Sequence, residues 1–177
     1  LQGEAFFEVE KIETGQQDDR QKVKFIVHTS ELQVEVVGTE FGVNTRSDRT
    51  QVTLNSGKVI VKDKQDETME MLPGEQVELS HLEQKLVKKK VIPENYTSWK
   101  DNNLEFVNMP VPEILQMLED RYGWQIEVND PDFLNNHYKG SAPAEAPEVL
   151  LQKWQLVYQL DIAKQGNKVI INTKDNK

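Results

Sequence analysis

Three histidines, His28, His81 and His137, are the residues of this chain best suited to hold a transition metal, and their spacing argues against it. A metal centre draws ligands from closely spaced pairs such as His-x-His or His-x-x-x-His, and none of the three has such a neighbour. They read as ordinary strand or loop histidines, which disfavours a cupin-like metalloenzyme. Asp18-Asp19 and Asp130-Pro131-Asp132 each bring two carboxylates together. A calcium loop needs about six to eight oxygens in a set order, so both read as solvated loops. The basic run Lys88-Lys89-Lys90 stands beside Leu86, Val87 and Val91; a solvated strand end or linker accounts for it, with contact to a membrane surface as the other reading. Trp99, Trp124 and Trp154 gather with Tyr122, Tyr138 and Tyr158 in the second half of the chain, and such rings can stack on sugars. Tyr122 and Trp154 fall on the apolar sides of predicted helices, however. The set therefore reads mainly as core, and a carbohydrate-binding module is kept as the alternative function.

Nothing in the sequence pairs a nucleophile with a base, clusters metal ligands or forms a phosphate loop, so no catalytic residue, cofactor or metal is expected. Lysine and arginine total 21 against 30 aspartate and glutamate, a formal charge of -9, which removes the phosphate attraction behind non-specific nucleic-acid binding. Cysteine is absent, hence neither a disulfide framework nor a thiolate metal site is available. No apolar run approaches the roughly 20 residues that span a bilayer, and Leu1 opens directly into a strand pattern; a soluble piece of something longer is expected. At 177 residues the chain can hold two small domains or one larger one.

The elements that must position these residues change character along the chain. From Gly3 to about Val91 apolar and polar residues alternate: Ala5, Phe7, Val9; Val23, Phe25, Val27; Leu32, Val34, Val36. This is the period of half-buried strands. Thr14 to Lys22 is a polar loop with nothing to bury. Val52 and Leu54 are expected to pair with Val59 and Val61 as a hairpin across Asn55-Ser56-Gly57, and Pro73-Gly74 is a second turn. Many short strands at this spacing predict an all-β sandwich, a jelly roll or a solenoid-like domain, among which pattern alone does not choose. After Pro93 the period becomes helical, with Val111, Ile114, Leu115, Leu118 and Tyr122 on one face between strands at Leu104–Val107 and Trp124–Val128. A second strand-helix-strand unit follows: Tyr138–Ser141, Pro147–Trp154, then Val157–Ala163 and Lys168–Asn172 around Gly166-Asn167. Pro112-Glu113-Ile114-Leu115 recurs as Pro147-Glu148-Val149-Leu150, each proline near a helix start and each glutamate in a first turn. The fold class is thus mainly β in two domains: residues 1–92 all-β, a linker at 93–98, and a small α/β domain at 99–177.

GEAFFEVEK, VKFIVHTSELQVEVVGTEFGV, VTLNSGKVIV and LPGEQVELS, in that order, resemble the periplasmic part of FecR-type regulators, the membrane-spanning anti-sigma factors that work with TonB-dependent outer-membrane receptors. From about Trp99 onward, with LEFVNMPVPEILQMLEDRYGWQIEV, the chain is similar to the C-terminal domain attached to such regulators in Bacteroidota, itself similar to the secretin/TonB short N-terminal domain. The resemblance implies a non-enzymatic, periplasmic, signal-receiving region without cofactor. It implies a membrane anchor upstream of Leu1 and a sigma factor held only by a cytoplasmic segment outside this chain. The partner it implies is the N-terminal signalling domain of a receptor, whose contact leads to proteolysis of the regulator and release of the sigma factor. Some members self-cleave between a Gly and a Thr of this motif, here Gly38 and Thr39: the Thr hydroxyl attacks the preceding carbonyl, forming an ester that water opens. The plainer reading is that Gly38 permits a bulge or a tight bend. For the partner surface, Lys168, Val169, Ile170, Ile171 and Asn172 are expected to form an edge strand open to strand addition. The competing arrangement puts that strand in the middle of its sheet and the partner on the N-terminal domain.

Overall fold

The alternating first half builds two antiparallel sheets, seen in a computed structural model that describes residues 1–14, 21–22, 24–46, 49–80, 82 and 84–174. The chain divides into two units, Leu1–Thr97 and Ser98–Lys177. In the first, β1 (Glu4–Val9), β6 (Thr39–Asn44), β7 (Arg49–Ser56), β10 (Glu75–Ser80) and β11 (Leu86–Lys90) form a five-stranded sheet in the order β1-β6-β7-β10-β11. The four-stranded sheet runs β4-β5-β8-β9, from β4 (Phe25–His28), β5 (Gln33–Val36), β8 (Val59–Lys62) and β9 (Thr68–Met71). Beside them, β2 (Glu13–Thr14) and β3 (Gln21–Lys22) form a short ladder at the ends of the segment read as a polar loop; residues 15–20 and Val23 lie outside the described residues. A single helical turn, α1 (Glu94–Thr97), ends the unit.

One core joins the two sheets. Val34, Val36, Val59, Val61 and Met71 come from the smaller, Phe41, Val43, Val52, Leu54, Val77 and Leu79 from the larger. Each fully buried side chain of this size stabilises the fold by about 1.5–3 kcal/mol. The unit is therefore a two-sheet sandwich. The hairpin expected across Asn55-Ser56-Gly57 does not form: Val52 pairs with Val43 and Val77, while Val59 and Val61 pair with Val36 and Val34 on one side and Met71 and Met69 on the other. At Gly57, with φ +88°, the chain crosses from one sheet to the other. Alternation with period two cannot tell these arrangements apart, because neighbours in one sheet and facing strands of two sheets both turn apolar residues into one core. The Pro73-Gly74 turn forms as expected, with Gly74 at φ +82°, and it too carries the chain between sheets.

The second unit opens with a 3-10 turn (Ser98–Asp101). It continues through β12 (Asn103–Pro110), α2 (Val111–Tyr122), β13 (Gln125–Val128), α3 (Pro131–Leu134), β14 (His137–Pro143), α4 (Glu148–Val157), β15 (Leu160–Gln165) and β16 (Lys168–Thr173). Val111, Ile114, Leu115 and Leu118 are the buried residues of α2, which Gly123 ends in the left-handed region at φ +67°, its N–H bonded to the Glu119 carbonyl. The opening strands of the two strand-helix-strand units pair with each other, β12 with β14. The closing strands make a separate sheet in the order β13-β16-β15, with β13 and β16 parallel. Gly166 and Asn167 make the two-residue turn of the final hairpin.

Two boundaries differ from the sequence reading. Val157 ends α4 instead of opening a strand. Leu86–Lys90 falls inside the expected all-β range as its last strand, with Leu86 as its apolar anchor in the core. Four residues of the expected linker form α1, which stays with the sandwich through a hydrogen bond from Asn55 Nδ2 to Thr97 Oγ1 (3.1 Å). No helix among the described residues is long and apolar enough to cross a membrane.

Candidate functional site

Gly38 sits where the chain leaves β5 in the smaller sheet to begin β6 in the larger, in the left-handed region at φ +68°. A Cβ there would lie 2.7 Å from Lys11 Cβ, so the bend requires glycine on two counts, backbone and space. Thr39, the first residue of β6, pairs with Val9 and is 2% exposed. Its hydroxyl donates a hydrogen bond to the Lys58 carbonyl (3.1 Å), which fixes the side chain. Gly57 closes over the pair from the next crossing between the sheets: a Cβ on it would lie 2.5 Å from the Gly38 carbonyl oxygen and 2.9 Å from Thr39 Oγ1. The plain reading of Gly38 as a tight bend is thus realised. The bulge lies elsewhere, on β7, where the register against β6 shifts between Glu40 and Phe41. The Gly38 carbonyl oxygen and Thr39 Oγ1 thus both lie against Gly57, with the hydroxyl bonded to the Lys58 carbonyl. Sequence reasoning found Gly38 and Thr39 but placed Gly57 in a hairpin turn and gave Lys58 no role.

The second candidate is the set of open strand edges. Lys168, Val169, Ile170, Ile171 and Asn172 do not form one. They lie in β16, paired on one side with β13 and on the other with β15, so their backbone groups are committed to two ladders. Val169 and Ile171 are fully buried, and that apolar pair is what draws the strand to the centre. The outer strands of this sheet are β13 and β15.

Each outer edge of the second unit carries a side chain bonded to its backbone. Within β13, Gln125 takes its N–H partner from Asn167, and Asn129 just beyond takes one from Ile171 on the β16 side. The N–H of Ile126 therefore points outward, and Glu119 of α2 accepts it at 3.0 Å. On β15 the outward Ile162 carbonyl accepts from Gln155 Nε2 (3.2 Å). In the two-stranded sheet, Glu105 and Ser141 stand opposite each other. Ser98 Oγ accepts the Glu105 N–H (2.9 Å) and Lys153 Nζ donates to the Ser141 carbonyl (2.6 Å). Both groups face outward, as expected of an antiparallel pair that does not bond to itself. One helix, α4, thereby guards an edge in each sheet. Immediately before β15, Leu156 and Val157 are 81% and 65% exposed.

The remaining candidates resolve into structure. Trp124, Trp154 and Tyr138 are buried, and Trp154 meets Phe133 and Tyr138 edge to face at 5.1 and 5.9 Å. Arg121 lies over the Trp99 ring (4.9 Å), and the Tyr122 hydroxyl donates to the Ala144 carbonyl. Trp124, Trp154 and Tyr138 thus belong to the core, while Trp99, Tyr122 and Tyr158 are half-buried. Asp130 caps α3 by accepting from the Asp132 and Phe133 N–H groups, and Lys88 is paired with Glu75 at 3.1 Å. His28 and His137 are exposed on strands, and no group of three metal-ligating residues occurs among the described residues. His81 and Asp18-Asp19 lie outside them.

Residues 1–60 match the family described as FecR protein, and residues 103–171 the family described as FecR, C-terminal. Two crystal structures of a candidate anti-sigma factor from Parabacteroides distasonis ATCC 8503, at 1.65 and 2.50 Å resolution, are similar along almost the whole chain. The first has a TM-score of 0.68 at 25% identity, covering 98% of this chain and 79% of that one. The second has 0.66 at 25% identity, covering 98% and 78%. No curated protein sequence matches the chain.

Proposed function

Because the chain belongs to the FecR family of anti-sigma factors, its two matched regions together spanning well over half its length, we propose that it is the periplasmic, signal-receiving region of a membrane-anchored regulator. Its partner in this reading is the N-terminal signalling domain of a TonB-dependent outer-membrane receptor. The sigma factor is held by a cytoplasmic segment outside these residues. The observation that carries the reading is the succession of a FecR sandwich and a FecR C-terminal α/β unit in one chain. Strand addition then belongs on β15, the outer strand of the terminal hairpin, beside the exposed Leu156 and Val157.

Calorimetric titration with the signalling domain of a receptor encoded nearby tests the partner. Binding is expected, with hydrogen exchange slowed over residues 157–165. Protection confined to residues 1–97 would move the partner to the sandwich, and binding of an oligosaccharide in place of the signalling domain would favour the carbohydrate-binding alternative.

A second reading is favoured by the geometry at Gly38. With Gly38 in a left-handed bend and the Thr39 hydroxyl fixed on the Lys58 carbonyl, this chain is proposed to cleave itself there into residues 1–38 and 39–177. A single full-length band after prolonged incubation would end that reading; two fragments abolished by Thr39→Ala are expected.

A further inference from the structure

Gly57 lies against both groups that the Gly38–Thr39 reaction brings together. The distances that an added Cβ would have, 2.5 Å to the Gly38 carbonyl oxygen and 2.9 Å to Thr39 Oγ1, are both below 3.0 Å, a separation real Cβ atoms essentially never undercut. The next residue, Lys58, supplies the carbonyl that receives the Thr39 hydroxyl. Residue 57 therefore lies against the carbonyl oxygen and the hydroxyl, and residue 58 anchors the hydroxyl. We propose that Gly57 is a positioning residue for self-cleavage at Gly38–Thr39, an inference that rests on the self-cleavage reading above.

In the step it serves, a bond forms between Thr39 Oγ1 and the Gly38 carbonyl carbon, and the C–N bond between the two residues breaks. The hydroxyl proton ends on the freed Thr39 nitrogen. Water then opens the ester, leaving a Gly38 carboxylate and restoring the Thr39 hydroxyl. A carbonyl is too weak a base to keep the proton, so Lys58 orients the hydroxyl without activating it. What the site contributes is alignment, and alignment is what a side chain at 57 would disturb. The carbonyl would have to retreat by about half an ångström to reach even the shortest tolerated contact, and displacements approaching 1 Å cost on the order of 10²-fold in rate.

Two variants separate this role from folding. Gly57→Ala carries both the Cβ and the strain of a left-handed alanine; Gly57→Asn carries the Cβ on a residue that tolerates positive φ. Gly3→Ala is the control, because Gly3 has φ +91° and a Cβ there would meet nothing within 4 Å. Fragment formation in the full chain is followed by denaturing gel and intact mass, with circular dichroism confirming that each variant is folded. Wild type and Gly3→Ala are expected to cleave at the same rate, and both Gly57 variants about tenfold or more slowly. Hydroxylamine, which opens the ester faster than water does, should still release fragments from the Gly57 variants more slowly in the same proportion, as expected if residue 57 acts on the acyl shift and not on opening of the ester. Folded Gly57→Ala and Gly57→Asn cleaving like Gly3→Ala would overturn the positioning role while leaving self-cleavage intact. If wild type and Thr39→Ala both stay whole, the reaction itself is absent and the role of Gly57 falls with it.

Discussion

A methyl group added at Gly140 is expected to destabilise the second unit even though the backbone there accepts it. Gly140 does not have a positive φ, so alanine alone would add about 0.4–1 kcal/mol by narrowing the unfolded ensemble. The space, however, is taken. The Tyr138 ring folds back over Gly140, and a Cβ would lie 2.7 Å from its Cζ and 2.9 Å from its Cε1. The ring cannot swing aside, because Phe106, which stands opposite Gly140 in β12, and Trp154 brace it at centroid distances of 5.9 Å each. Overpacking of this kind costs about 1–3 kcal/mol, so Gly140→Ala should lose about 1–2 kcal/mol net. For a unit of this size that lowers the melting temperature by about 4–8 °C per kcal/mol. In a Tyr138→Ala background the obstruction is gone and the same substitution should become neutral or stabilising. Urea unfolding of wild type, both single variants and the double variant, followed by circular dichroism, measures the coupling, expected at about 1.5–3 kcal/mol. An equal effect of Gly140→Ala in both backgrounds, or a gain in stability from it alone, would refute the packing argument.

Trp154 is fully buried and its indole Nε1 has no hydrogen-bond acceptor among the described residues; Trp154→Ala should cost about 3–5 kcal/mol. Trp154→Phe should cost under half of that, because it also removes an unsatisfied donor worth about 1–3 kcal/mol, and the ratio of the two losses in urea unfolding is the check. The Leu72 N–H, with the Lys88 and Lys90 charges assisting, holds the Glu75 carboxyl below its ordinary range. That contribution to stability is present at neutral pH and lost as pH falls through and below the usual glutamate range, so Glu75→Gln should flatten the acid limb of a stability profile. Burial raises the hydroxyl pKa of both Tyr138 and Tyr158. Their contribution is complete below about pH 10 and lost above it, and Tyr158→Phe should weaken the alkaline decline. Glu119→Ala should speed exchange of the Ile126 amide with little change in that of Gln125, whose N–H is bonded inside the sheet; equal acceleration of both amides would mean that the strand had come loose as a whole.

Strand alternation and helix period were legible because each records a single choice, which face of an element is buried. Val34, Val36, Val59 and Val61 point into the core as their spacing requires, and Ile114, Leu115 and Leu118 line the inner face of α2. Which strand lies beside which was not legible, because pairing depends on where the chain crosses between sheets. At Asn55-Ser56-Gly57 the residues that suit a hairpin turn also suit such a crossing, since both need one residue with positive φ. The misplacement of Gly57 had a functional consequence. Read as a hairpin tip it is remote from Gly38, whereas as a crossing it lies against the carbonyl that self-cleavage would attack.

The strand Lys168–Asn172 was misjudged for a related reason. A short apolar strand near a chain end fits an edge by length, yet Val169 and Ile171 are the residues of the final hairpin most in need of cover, and only the centre of the sheet gives it on both sides. The strands left outside, β13 and β15, are those whose outward backbone groups helices could satisfy with a glutamate and a glutamine. Neither helix residue carries a sequence signal for that role, since Glu119 and Gln155 look like ordinary polar positions until the strands beside them are placed. An edge closed by a side chain resists casual pairing with another chain, but the bond is local and a partner strand can replace it with a backbone N–H of its own. At β15 that exchange removes one amide donor from the Ile162 carbonyl and supplies another, so the hydrogen-bond count is unchanged. The net gain from docking there must then come from covering Leu156 and Val157, at about 25 cal/mol for each Å² of apolar surface removed from water. Replacing both by serine should abolish strand addition at β15, while Gln155→Ala should leave it intact or strengthen it.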